Sequence, residues 1–107
     1  MDDERVVTIW SANGLTVTAR RGLGDSLVLV GQDLNPDPEM LLGLREYEYG
    51  LTVAAADVPA VVAALGGPPG ADVLDLLVSR GETVVGAGET HWLAAIGVEA
   101  EFWSRSE

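Results

Sequence analysis

The sequence predicts an α+β fold: a mostly antiparallel sheet of four to five strands, opening as a β-meander, with two to three helices packed on one face. The expected order is β-β-β-β-α-α-(α)-β, in a single domain over residues 1–107. Three observations carry this. The first half alternates apolar and polar residues with period two, broken by turn signals. After Asp57 the apolar period lengthens to that of a helix. Alternation then returns after Gly97, near the C-terminus.

Val7, Ile9 and Ser11 alternate with Val6, Thr8 and Trp10 as a first strand. Asn13-Gly14 follows, the dipeptide that most readily takes the positive φ angles of a two-residue hairpin turn. Leu15, Val17 and Ala19 against Thr16, Thr18 and Arg20 make a second strand with a polar face. Beyond the turn Gly22-Leu23-Gly24-Asp25, the run Ser26 to Val30 is apolar on both faces, which suits a central strand. The fourth strand is the clearest, with Tyr47, Tyr49, Leu51 and Val53 alternating with Glu46, Glu48, Gly50 and Thr52. Short connections between such strands favour antiparallel neighbours with one buried face.

Asp57 can cap a helix in which Pro59 is tolerated and Val58, Val61, Val62 and Leu65 form one face, stopping at Gly66-Gly67. Pro68-Pro69-Gly70 cannot continue it. A second helix starts near Asp72, turns Val73, Leu76 and Leu77 inward, and is expected to end around Arg80-Gly81. Glu82 to Gly88 reads either as a short strand through Thr83-Val84-Val85 or as a loop. Thr90 to Ile96 suits a short third helix closed by Gly97, and Val98, Ala100 and Phe102 against Glu99, Glu101 and Trp103 suit a last strand. Tyr47, Tyr49 and Phe102 are expected to help fill the interface between sheet and helices.

Composition excludes several functions. Seventeen carboxylates face six basic residues, all arginine, for a net charge of −11. A phosphate backbone or an anionic membrane surface would be repelled, so neither nucleic acid nor membrane is an expected partner. A basic protein would be attracted. No cysteine is present, which removes disulfides and thiolate chemistry together. No apolar run approaches the ~20 residues of a bilayer span. The acidic opening MDDERVV is unlike a secretory leader, so the default compartment is the cytoplasm.

The stretch DLNPDPE, residues 33–39, spaces Asp33, Asn35 and Asp37 like the start of a calcium loop. Pro38 then stands where the sharp turn needs glycine, and Leu44 where the closing glutamate belongs, so no metal site is assigned. Val84-Val85-Gly86-Ala87-Gly88 begins like a dinucleotide fingerprint, but His91 replaces the third glycine and no βαβ unit follows. No cofactor is expected. His91 is the sole histidine, so general base chemistry would centre on it, yet no serine sits in a nucleophile elbow. No catalytic residue is assigned.

The acidic residues supply the leading candidate surface. Glu46 and Glu48 point away from the tyrosines, while Glu99 and Glu101 point away from Phe102. If the two strands are close, these carboxylates share a face with Trp103, and Asp33, Asp37 and Glu39 crowd the end of the same sheet. Such a cluster, with no lysine to offset it, either steers and anchors a basic partner or simply keeps an acidic protein soluble.

With Gly31-Gln32-Asp33-Leu34, Glu46-Tyr47-Glu48-Tyr49 and Glu101-Phe102-Trp103 in view, the chain resembles small functionally unassigned α+β proteins of GC-rich bacteria. It also resembles, in overall character, the immunity proteins of bacterial toxin systems. That resemblance implies protein binding and carries no residue roles. The expected function is a non-enzymatic module binding a basic partner through Asp33, Asp37, Glu39, Glu46, Glu48, Glu99, Glu101 and Trp103. The alternatives are a small-ligand protein or enzyme using His91 and the Gly86–Gly88 turn, and a homodimer formed by sheet-edge pairing.

Overall fold

The structure is a computed structural model that describes residues 5–12, 14–36 and 44–106. It is an α+β fold with a five-stranded antiparallel sheet. The strands are β1 (Val6–Ala12), β2 (Leu15–Arg21), β3 (Leu27–Pro36), β4 (Leu44–Val53) and β5 (Glu101–Ser106), and they lie side by side in chain order. The helices α1 (Val58–Ala64), α2 (Val73–Ala87) and α3 (Glu89–Ala95) all fall between β4 and β5. Although three helices separate them in sequence, β5 pairs directly with β4, bringing Phe102 opposite Leu51 and Trp103 opposite Gly50.

The hairpin joining β1 and β2 closes as its sequence requires, with Ala12 paired to Leu15 and Gly14 at a φ of +83°. One residue departs from simple alternation. The register slips between Thr8 and Trp10, so Ile9 is an extra residue in a bulge. Ile9 and Trp10 consequently both pack toward the core, and Ser11 takes the outer face that alternation assigns to Trp10.

The helix-covered face of the sheet carries Val17, Ala19, Leu27, Leu29, Leu51 and Val53, all buried. Against them pack Val58, Val61 and Val62 of α1, Val73, Leu74, Leu77 and Val84 of α2, and Leu93 of α3. Each such side chain removed from water stabilises the fold by about 1.5–3 kcal/mol before chain entropy is counted.

Helix α2 is longer than the sequence suggests. It continues past Gly81 to Ala87 and ends at Gly88, whose φ is +88°. Packing overrides the β-branched run Thr83-Val84-Val85: Val84 is needed in the core, and Gly81 lets the helix lie close against the bulge in β1. A methyl group on Gly81 would stand 2.7 Å from Ile9 Cβ. Helix propensity is a weak prior against such contacts.

The caps divide the same way. Asp72 caps α2, its Oδ1 accepting from the amide of Leu74 at 2.9 Å, and its Oδ2 accepts from Arg5 at 3.0 Å. Asp57 precedes α1 but its side chain makes no cap bond, because a 3₁₀ turn over Ala55–Asp57 leads into the helix instead. At the other end of α1, the Arg80 guanidinium donates to the Leu65 carbonyl, covering an acceptor the helix leaves open.

Candidate functional site

The helices do not cover the whole sheet. Past Leu51 toward the start of β4, Tyr49 and Tyr47 continue the helix-side row, and Phe102 stands beside them on β5. Of the three, only Tyr49 reaches between sheet and helix, bonded to Glu89 of α3, while Tyr47 and Phe102 do not fill that interface. Phe102 is 53% exposed and Tyr47 is 39% exposed, so the aromatic row runs out from the core into solvent.

Tyr47 and Tyr49 have ring centroids 6.0 Å apart at 34°, and Tyr49 and Phe102 stack at 6.4 Å and 21°. Gly31 is what allows this. It is the direct cross-strand partner of Tyr49, and the Tyr49 ring lies over it in space that any side chain would occupy. The glycine is a seat for the ring.

Together with Gly88, Glu89, Thr90 and His91 at the start of α3, the three rings bound a shallow cleft of about 390 Å³. Its floor holds Glu89, only 7% exposed, whose Oε2 accepts a hydrogen bond from the Tyr49 hydroxyl. A buried carboxylate needs such a donor. On the other side of that bond, burial and then the carboxylate hold the Tyr49 phenol well above its ordinary pKa. His91 borders the cleft and is exposed to solvent. The Gly86–Gly88 turn is not a loop: Gly86 lies within α2, and Gly88 alone breaks the helix. A phosphate-cradling loop is therefore absent at this position.

The outer face of the sheet repeats the device. Trp103 lies over Gly50, its direct partner, where no side chain could fit. Glu48 and Glu101 flank it on the same face, each two register positions from it, and the register sets Arg105 opposite Glu48. Trp103 remains 39% exposed. Among the described residues, no helix lies over this face.

The acidic residues singled out from the sequence are thus divided. Glu48, Glu101 and Trp103 share the outer face of β4 and β5. Asp33 is on the helix side, opposite Tyr47 in register and close enough to act electrostatically on Tyr49. Glu99 is exposed but precedes β5 and so belongs to neither row. Glu46 is the register partner of Leu34, and Asp37 and Glu39 lie outside the described residues. Glu89 has no counterpart among the sequence-derived candidates. An acid in the first turn of a helix is an ordinary helix-start residue, and nothing local marks it as pointing inward.

A larger cavity of about 640 Å³ lies at the opposite end, between α1 and the turn after β2, with Arg21, Asp25, Val58 and Val62 among its walls. Among the described residues no buried polar side chain lines it, and the aromatic cleft is the stronger site. Among the described residues, no group of three or more histidines and carboxylates is arranged to hold a metal. Among the same residues, no helix is long and apolar enough to cross a membrane. No family model matches the chain, and neither does any curated protein or solved structure.

Proposed function

We propose that the chain is a non-enzymatic, acidic protein-binding module that works in the cytoplasm and engages a basic protein, in the manner of an immunity or inhibitor protein. One observation carries the reading: β5, an edge strand, presents Phe102 and Trp103 to solvent on opposite faces, with Tyr47 beside them, in a chain of net charge −11. Exposed aromatics in a small area supply anchoring contacts, and surrounding carboxylates supply steering. Scattered acidity kept only for solubility would not need aromatics gathered at one edge.

The test is association kinetics with a basic partner co-purified from the native host at low salt. Glu46→Lys with Glu48→Lys is expected to slow association by roughly tenfold, with the difference shrinking at high salt. Trp103→Ala is expected to raise dissociation instead. Recovery of no basic protein, or unchanged kinetics in the charge-reversed variant, contradicts the proposal.

A second reading keeps one observation in its favour: His91, the Tyr49 hydroxyl and Glu89 border the same cleft, as a small-ligand protein or enzyme would need. That reading predicts loss of function in His91→Ala with partner binding intact. A third, a homodimer paired through the β5 edge, predicts twice the monomer mass by light scattering.

A further inference from the structure

We infer that the Tyr47–Tyr49–Phe102 cleft is a pocket for a single cationic side chain, a guanidinium or ammonium carried by the basic partner, with Glu89 as its counter-charge. This rests on the reading above and specifies how that partner is held. Three rings bound the space, and ring faces attract cations placed within about 6 Å of them. The carboxylate in the floor is fixed by the Tyr49 hydroxyl, so it is already oriented before any ligand arrives. Asp33, in register with Tyr47, adds a second negative charge on the same side of the sheet. None of the described residues lining the cleft is an arginine, so no internal cation occupies the role.

The charge pattern also selects among ligands. An anion would meet Glu89 and Asp33 with no compensating donor. A neutral sugar could stack on the tyrosines, but it would leave the buried carboxylate without a charge partner. A guanidinium satisfies both features, stacking its planar face on a ring while its N–H groups reach the carboxylate. The position of the cleft suits such a partner, because the same edge strand carries Trp103 on its other face. A basic segment crossing β5 could thus place an arginine on one side and pack against Trp103 on the other.

The experiment needs no identified partner. The full chain, labelled with ¹⁵N, is titrated with N-acetyl-arginine amide and, separately, with its uncharged isostere N-acetyl-citrulline amide and a neutral disaccharide. The expected result is saturable shifts at the amides of Gly88 to His91 with the arginine compound, and affinities at least roughly tenfold weaker with the other two. Glu89→Gln should weaken the arginine compound by a similar factor. Phe102→Ala, at an exposed position, should weaken it severalfold, whereas Glu82→Gln, exposed in the middle of α2, should leave it unchanged.

Equal binding of citrulline or disaccharide overturns the inference, as does an arginine affinity indifferent to both Glu89→Gln and Phe102→Ala. The two proposals fail separately. Charge reversal that slows partner association while the arginine probe shows no cleft binding sinks the pocket and leaves the module standing. Probe binding without any basic partner does the reverse.

Discussion

Tyr49 over Gly31 and Trp103 over Gly50 are one construction used twice, on opposite faces of adjacent strand pairs. In each, a strand glycine leaves room for the ring of its direct cross-strand partner. The surroundings differ. Tyr49 is held at its hydroxyl by a buried carboxylate, stacked on Phe102 and beside the tilted Tyr47 ring, while Trp103 is exposed with no helix of the described residues above it. The difference is one of anchorage. A ring fixed at its polar end and on both sides gives up little freedom on binding, whereas a loosely seated indole must be ordered by its partner. In the proposed complex the helix side would provide selectivity and the outer side area.

The glycine seats offer the largest contrast. Gly31→Ala forces the Tyr49 ring off the strand and breaks its bond to Glu89, and should cost about 2–3 kcal/mol in urea unfolding, the upper part of the range for overpacking. Gly50→Ala should cost less than about 1 kcal/mol, because the exposed Trp103 ring can swing into solvent. Equal costs for the two would show that both rings are equally fixed.

Removing a polar anchor separates the pairs next. Tyr49→Phe leaves the buried Glu89 carboxylate without its donor and should destabilise by about 1–2 kcal/mol. Trp103→Phe, which trims the part of the indole seated over Gly50 but leaves no buried carboxylate without a donor, should cost less than about 1 kcal/mol.

The smallest effect is a pH dependence confined to the helix side. The Tyr49 phenol has its pKa raised on folding from an ordinary value of 10.0, mainly by burial and then by Glu89. The folded state thus holds that proton more tightly than the unfolded chain. Its contribution is fully present below pH 10 and is lost as pH rises through the higher folded value. Stability measured at pH 9 and at pH 11 should fall more steeply in the parent than in Tyr49→Phe. Identical slopes would mean that Tyr49 ionises freely.

Much of this architecture is legible in the sequence where the signal is local. Asn13-Gly14 sets a hairpin, Gly97 closes a helix, and alternation along β4 correctly separates the tyrosines from Glu48. The failures share a non-local origin. The bulge at Ile9 exists because α2 packs across β1, and the extension of α2 through Thr83-Val84-Val85 depends on Val84 reaching the core and Gly81 fitting against Ile9. The pairing of β5 with β4 spans three helices, and no local pattern encodes it. Phe102 reads as a core residue by alternation alone, since alternation gives the side of the sheet but not how far the helices extend over it.

The candidate site shows the same division. Period two places Glu101 and Trp103 on one face. It also places Asp33 with Gly31 and Leu29 on the other, so the acidic residues form two sets instead of one patch. Glu89 could not be found from sequence, because its burial depends on Tyr49, forty residues away in the chain. Where a carboxylate meets a ring across the fold, the chemistry is tertiary.

We propose that the β5 edge, and not acidity spread over the whole surface, receives a basic partner. Amide and aromatic chemical-shift mapping with an arginine-rich peptide tests it most directly. The largest changes are expected to gather at Tyr47, Tyr49, Gly88 to His91, Phe102 and Trp103, and to persist at moderate salt. Shifts spread over the acidic surface, or centred on the β1 edge, and erased by the same salt would contradict it.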